Sequence, residues 1–309
     1  MTDAVIIDAV RTPGGKRNGQ LKDWHPAALA AHVLKAIAAR NHLDPSSVDD
    51  VIMGCVSQVG QQSLNIGRSA VLAAGWPESV PATTVDRQCG SSQQAMHFAA
   101  QGVIAGAYDI VIAAGVEVMS TTPMGASVVR GELGHPFPKE MQDRYSESGL
   151  PPQGIGADMI AVEYGITRED LDAFGAQSQQ RAEQATAEGR FQNEIVAVPV
   201  DLGNGEQLVT TDEGIRPGTT AETLSKLKPA FKDDGLITAG NSSQISDGAS
   251  AVLIMSSERA AELGLKHRAR FHSFAVVGTD PVTMLKGPIP ATKKILEKSG
   301  LSIDDIDAF

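Results

Sequence analysis

Three continuous apolar runs constrain this chain more than any other feature: Ala4–Val10 (AVIIDAV), Asp109–Gly115 (DIVIAAG) and Ala249–Met255 (ASAVLIM). A strand wet on one face alternates apolar and polar residues, whereas one covered on both faces does not. Each run is too short to cross a bilayer. Between them lie helical patterns. Pro26–Arg40 places Leu29, Val33, Leu34 and Ile37 on one face, and Asn65–Ala74 closes on Gly75-Trp76-Pro77. Val48–Met53 and Thr83–Val85 read as further strands. Strands alternating with helices predict an α/β layered fold with a parallel sheet, Ala4–Val10 among its strands.

From Met119 to about Asn241 this rhythm stops. Pro136-Phe137-Pro138, Pro151-Pro152, a polar helix over Arg168–Glu188 and the loop Asp201-Leu202-Gly203-Asn204-Gly205 read as an inserted subdomain, the kind of excursion that carries binding loops. After Ala249–Met255 comes a helix over Ser257–Leu263. Arg270–Gly278 is expected as a strand and Pro290–Ser299 as a helix. Ser302-Ile303-Asp304-Asp305-Ile306 then echoes Ser47-Val48-Asp49-Asp50-Val51, which suggests a repeated αβ half. The second copy stops at Phe309, inside its own second strand, so the reading is of a truncated two-half protein with an unpaired edge.

The chemistry concentrates at Pro81–Ala107. Thr83-Thr84-Val85 is a β-prone run, Asp86-Arg87-Gln88 turns, and Ala95, Met96, Ala99, Ala100 and Val103 recur at helical spacing. Cys89 sits at the joint, beside Gly90 and two serines. Amides at a helix start are unpaired and carry partial positive charge, which favours a thiolate there and makes it a better nucleophile. The arrangement has the logic of a nucleophile elbow, with helix amides facing any oxyanion that forms. Cys55, in the apolar run Val51–Val56, reads instead as a core residue. His97 falls on the apolar side of the Cys89 helix and reads as a packing residue, and His135 has no spacing that links it to Cys89.

Composition closes off other classes. Apolar content of 42% and charged content of 20% suit a globular protein. Two cysteines argue against a disulfide scaffold and for a reducing, cytoplasmic setting. The N-terminus MTDAVIIDAVRTP has no basic n-region, and no run is long enough for a membrane span. A net charge of −11 speaks against nucleic acid, so an anionic ligand must be met by a local basic patch.

The segment Val85–Ala95 (VDRQCGSSQQA) resembles the nucleophile segment of thiolases, the acyl-CoA C-acyltransferases. Arg11-Thr12-Pro13, Asn65 with Arg68, Gly115–Ser120 (GVEVMS), Thr238–Ser243 (TAGNSS) followed by Asp247-Gly248-Ala249, and Gly287–Ala291 (GPIPA) agree in order and spacing. The resemblance implies a thiolase-like αβαβα layered fold. Residues 1–120 with 244–266 would form the first half, 121–243 its inserted loop subdomain, and 267–309 the start of a second half. It implies CoA-dependent cleavage of a 3-ketoacyl-CoA, or the reverse Claisen condensation, through an acyl-cysteine at Cys89. The Cys89 N–H would contribute to an oxyanion hole. Coenzyme A enters as substrate, with no cofactor and no metal. Ser243 matches the serine that contacts the pantetheine arm, Arg216 the arginine near the CoA nucleotide, and Phe231 an aromatic in that pocket. Lys226, Lys228 and Lys232 cluster beside Arg216 in the sequence and suit an anionic ligand. The family also implies a homodimer or homotetramer.

Some positions depart from the pattern. Asp86 stands where many thiolases carry Asn or Ser, and Pro152-Gln153 where the biosynthetic type has His-Met. The family's Asn-Glu-Ala-Phe motif, its Gly-His-Pro histidine and its second cysteine are expected beyond Phe309. Turnover needs a base for the thiol and another for the α-carbon, so this polypeptide alone is expected to be inert. Two other readings stay open: a β-ketoacyl synthase-like condensing enzyme, and a non-catalytic thiolase-like subunit that binds CoA esters or lipids.

Overall fold

The computed structural model describes the chain from Thr2 to Phe309 apart from Leu202 and Asn204, and the backbone alone at Val129 and Arg130. Two of the five positions in the expected 201–205 loop therefore lie outside the described residues. In chain order the elements are β1 (Ala4–Arg11), β2 (Gly15–Lys16), α1 (Pro26–Arg40), β3 (Asp50–Gly54), α2 (Ile66–Ala73), β4 (Ala82–Val85), α3 (Ser91–Ile104), β5 (Ile110–Val118), α4 (Lys139–Arg144), α5 (Gln153–Glu163), α6 (Arg168–Ala187), β6 (Val198–Asp201), β7 (Glu206–Val209), α7 (Ala221–Ser225), β8 (Ser246–Ser256), α8 (Ser257–Glu262), β9 (Ala269–Arg270) and α9 (Pro288–Ser299). They fall into two compact units. The first takes residues up to Leu133 with Gly189–Gly214 and Ile245–Phe271, and the second takes Gly134–Glu188, Ile215–Gln244 and His272–Phe309.

The first unit is built on a seven-stranded sheet in the order β4-β3-β5-β8-β1-β9, with β2 pairing to β8. β4, β3 and β5 are parallel, as expected. β1 is not part of that parallel set: it pairs antiparallel with β8 and β9. Burial on both faces reports that a strand is covered, and says nothing of its direction. Strand alternation sorts the core. Val51, Met53, Ile110, Ile112 and Ala114 join the cluster that includes Leu29, Val33, Leu34 and Ile37 of α1. Ile52, Val111 and Ala113 are equally buried but belong to the other face, where α3 brings Ala95, Ala99, Ala100 and Val103. Each large aliphatic side chain sealed in this way contributes about 1.5–3 kcal/mol. α1 starts cleanly because the His25 side chain accepts the Ala27 N–H and Pro26 pre-sets the first turn.

The sequence grouped residues 121–243 as one insertion, whereas the compact units divide that stretch. The β6–β7 hairpin joins the first unit because Val198, Val200 and Val209 are buried in its core. Arg11 fastens the same region: its Nε donates to Glu194 at 2.7 Å and its Nη1 to Asp212 at 2.7 Å, while the guanidinium lies over the Phe191 ring.

In the second unit, α6 is polar along most of its length and is started by a capping box between Thr167 and Asp170. Its buried residues are Asp172, Gly175 and Ala176, and a side chain at Gly175 would run into the Gly240 carbonyl. Two expectations fail here. Of Arg270–Gly278, only Arg270 pairs into a sheet, and lysines of α9 donate to the carbonyls of Phe274 and Val276 instead. Ser302–Phe309 forms a single 3-10 turn at Ile303–Asp305 with no strand after it. An apolar run becomes a strand only where a neighbour takes its backbone hydrogen bonds. Among the described residues, no helix is long and apolar enough to cross a membrane.

Candidate active site

The parallel strands β4 and β3 end together, with β5 alongside and running on to Val118, at the position where α3 begins, which is where ligands gather in open α/β sheets. Gly54 and Gly115 are register partners across β3 and β5. A side chain at Gly54 would fall far inside contact distance of the Ser92 amide nitrogen, and one at Gly115 would overlap the Ser92 hydroxyl. Two hydrogen atoms in place of side chains therefore let the first turn of α3 rest directly on the sheet.

The turn before that helix is held from inside. Gln88 takes a left-handed φ of 48°, which costs a residue with a side chain roughly 1 kcal/mol or more. Asp86 holds it there: its Oδ1 accepts the Gln88 N–H at 2.6 Å. The Ser91 hydroxyl accepts the Arg87 N–H at 2.9 Å and donates to the Gln88 carbonyl at 2.6 Å. Cys89 emerges exposed from this turn, two residues before α3. The N-cap is Gly90, which contributes no side chain to the helix start; the Ser91 N–H donates to the Gln88 carbonyl at 3.0 Å, and the amides that follow it have no side-chain cap.

Cys55 differs in every respect. It is buried directly after β3, and its thiol is pushed up to about 12 by desolvation, by the charges of Glu117 and Asp86, and by a hydrogen bond to Glu117. His97 is half-buried, and burial together with the charge of Arg87 holds its imidazolium form below the ordinary range, in line with a packing role. His135 is engaged locally, its Nδ1 accepting the Phe137 N–H at 3.2 Å.

The other expected site residues lie in the second unit, and all are exposed. The Arg216 backbone is pinned by the Gln179 side chain, leaving the guanidinium outward. Phe231 lies so close over Gly154 that any side chain at Gly154 would overlap the ring. Ser243 follows a tight turn in which Asn241 accepts the Thr238 N–H at 2.8 Å and Ser242 donates to the Thr238 carbonyl at 2.6 Å. The expected lysine cluster is partly neutralised, since Lys226 pairs with Glu222 and Lys232 with Asp234.

The other shared motifs turn out to be supports. Asn65 caps α2 and donates to the Ala82 carbonyl at 2.7 Å, while the Arg68 guanidinium donates to the carbonyls of Val80 and Glu78. The Thr12 hydroxyl accepts the Ala249 N–H at 3.1 Å, and buried Asp247 accepts the Ser120 N–H at 2.8 Å. Sequence reasoning gave Gly54 and Gly115 no role in seating α3, and it placed Ser91 and Glu117 only within segments that match the family. A glycine at the end of one parallel strand and another late in its neighbour are the signal that could have found the first two.

Comparison with known proteins decides the family. The thiolase N-terminal domain matches residues 4–258 and the thiolase C-terminal domain residues 265–309. The chain is a thiolase. The 3-ketoacyl-CoA thiolase of Aliivibrio fischeri is 45% identical over all of this chain and 79% of its own length. The steroid 3-ketoacyl-CoA thiolase of Mycobacterium tuberculosis is 44% identical over 99% of this chain and 75% of its own length. The crystal structure of the Bacillus anthracis acetyl-CoA acetyltransferase superposes with a TM-score of 0.88 at 37% identity, covering 99% of this chain and 79% of that one. The thiolase fold expected from the sequence is thereby shown.

Proposed function

We propose that this thiolase passes an acyl group between a 3-ketoacyl-CoA and coenzyme A through a thioester on Cys89. The acyltransferase assignment follows from the two family domains and the 3-ketoacyl-CoA thiolase relatives. The observation that carries the residue assignment is the exposure of Cys89 on a braced turn at the uncapped start of α3. Attack by the Cys89 thiolate on the 3-keto carbon places negative charge on that oxygen, where helix-start amides favour it. The C2–C3 bond then breaks. Its electron pair stays on C2, which takes up a proton, and acyl-Cys89 remains. A second coenzyme A, as its thiolate, attacks that thioester, and acyl-CoA leaves as the Cys89 thiolate is restored. Condensation is the same sequence reversed.

Arg216, Phe231 and Ser243 are assigned to the coenzyme A moiety: the guanidinium to its phosphates, the ring to its nucleotide pocket and the hydroxyl to the pantetheine arm. Support for this is their match to the family pattern and their exposure. A homodimer or homotetramer in a reducing compartment completes the reading, and sedimentation equilibrium tests the oligomer.

Intact-mass and peptide spectrometry after incubation with acetoacetyl-CoA and with a longer 3-ketoacyl-CoA tests the chemistry. A thioester mapped to Cys89, absent in Cys89→Ala, is expected. Reversible binding of acyl-CoA with no adduct would make the protein a CoA-ester binder and sink the reading.

A further inference from the structure

Glu117 lies on β5, two positions beyond Gly115, and the chemistry at Cys89 makes no use of it. Its carboxylate gathers donors from the loop that follows β3. Oε2 accepts the Val56 N–H at 2.9 Å, and Oε1 accepts the Ser57 N–H at 3.2 Å. Oε1 also accepts the side-chain amide of Gln62 at 2.8 Å. Gln62 is fully buried, donates to the Ser57 carbonyl at 2.9 Å and accepts the Val118 N–H at 2.8 Å. A side-chain network bonded in this way leaves the loop few ways to shift, because each donor that moves off loses its acceptor in a buried setting.

What the loop holds in turn is the exit of β4. The Cys55 N–H donates to the carbonyl of Val85 at 3.1 Å, and Val85 is the last strand residue before the turn that presents Cys89. On the adjoining side, Gly54 meets the backbone of Ser91 and Ser92 with no room to spare. The turn is therefore fixed at its strand end through Cys55 and at its helix end through Gly54, and these two residues are consecutive. Slack at position 55 passes directly to the nucleophile.

We infer that Glu117 is a positioning residue for Cys89, acting through Cys55 and the loop 56–62 on the point where β4 leaves the sheet. The inference rests on Cys89 being the acyl acceptor, and it is tested by a reaction that needs no acyl-CoA. The full chain and its Glu117→Gln variant are treated with iodoacetamide across the neutral to alkaline range. Modification of Cys89 is followed by peptide mass spectrometry, and folded fraction by circular dichroism. Glutamine keeps the size of the side chain but sets an NH2 group against a backbone N–H.

The expected result is a change of roughly threefold or more in the plateau rate of Cys89 modification, with both proteins folded and the midpoint of the pH profile unmoved, because a loosened turn alters how far the thiol meets the reagent. A plateau within a factor of about two of the parent chain overturns the inference, since it corresponds to under half a kcal/mol. A displaced midpoint with an intact plateau also overturns it, because Glu117 would then act as a charge. If Glu117→Gln does not fold, Gln62→Leu, which removes one donor and keeps the carboxylate, decides by the same two criteria. Normal alkylation of the parent chain without acylation by acetyl-CoA would remove the proposed function and leave the geometric comparison readable.

Discussion

The turn at Cys89 and the segment from Phe231 to Ser243 both present side chains that the proposed function uses, but they are held in different ways. The first is wedged by backbone. Gly54 and Gly115 let α3 lie on the sheet, and Asp86 and Ser91 fill the inside of the turn. The second is tethered by carboxylates. Asp158 Oδ1 accepts the Leu236 and Ile237 amides at 2.6 and 3.3 Å. Asn241 Nδ2 donates to the Leu236 carbonyl at 3.2 Å and reaches Asp172, which is itself paired with Arg168. The side chains displayed at the two ends of that segment, Phe231 and Ser243, remain exposed. A nucleophile must meet a carbonyl carbon within a fraction of an ångström, whereas a residue lying along a flexible ligand arm tolerates more play. Wedging by backbone fails abruptly, and tethering by polar groups fails by degrees.

That contrast is broken most directly at the glycines. Gly54→Ala is expected to destabilise the first unit by about 3 kcal/mol or more in urea unfolding and to abolish acylation of Cys89 by acetoacetyl-CoA, because the new methyl meets backbone that cannot move aside. Within close contact Gly115→Ala meets only the Ser92 side chain, its hydroxyl and Cβ, so adding Ser92→Gly should restore most of its loss. Equal rescue of both variants by Ser92→Gly would erase the distinction.

A smaller effect is expected at the tether. Asp158→Ala leaves two buried amides without their acceptor and should cost about 1–3 kcal/mol. Asp158→Asn should be close to neutral by the same measurement, since Oδ1 is kept. Asp158 Oδ2 is buried and has no partner among the described residues. A loss in Asp158→Asn as large as in Asp158→Ala would mean that the charge, and not the acceptor geometry, holds the segment.

The smallest effect concerns the polar clamp of the first unit. For Asp212, burial works against the charge, but hydrogen bonds from Arg11 and the Gly14 amide outweigh it and hold the carboxyl below its ordinary value of 3.8. Its contribution is therefore complete above the unfolded value and is lost as pH falls through the folded one. Unfolding free energy followed from pH 7 downward should show this loss only in the acid range below 3.8, and Asp212→Asn should remove that part of the curve. Loss between neutrality and the unfolded value would place the titration on another group.

Much of this was legible in the sequence. The three apolar runs became β1, β5 and β8, and the spacing of Leu29, Val33, Leu34 and Ile37 became the buried face of α1. The roles of Cys89 as exposed and Cys55 as buried followed from their neighbours alone. What stayed hidden depends on residues distant in the chain. Gly54 and Gly115 matter only as register partners, and Glu117 is occupied by backbone amides, which leave no trace in side-chain identity. The direction of β1 is set by its partner β8, and the β6–β7 hairpin joins the first unit through valines that local pattern cannot allocate.

The place of β8 has a consequence for how the molecule is made. It stands between β5 and β1, pairing Ala4 with Ser256 and Ile110 with Met255, so a late-synthesised strand occupies the middle of the sheet. Closing so long a loop adds little entropy cost beyond that of a moderate one, but it slows the search for native pairing. During synthesis β1 and β5 must wait, apolar and without their shared neighbour, while the 234 residues after β1 and the 127 residues after β5 emerge ahead of β8. Biogenesis of this protein therefore exposes its most aggregation-prone edges early, and the chain depends on whatever shields them until the central strand arrives.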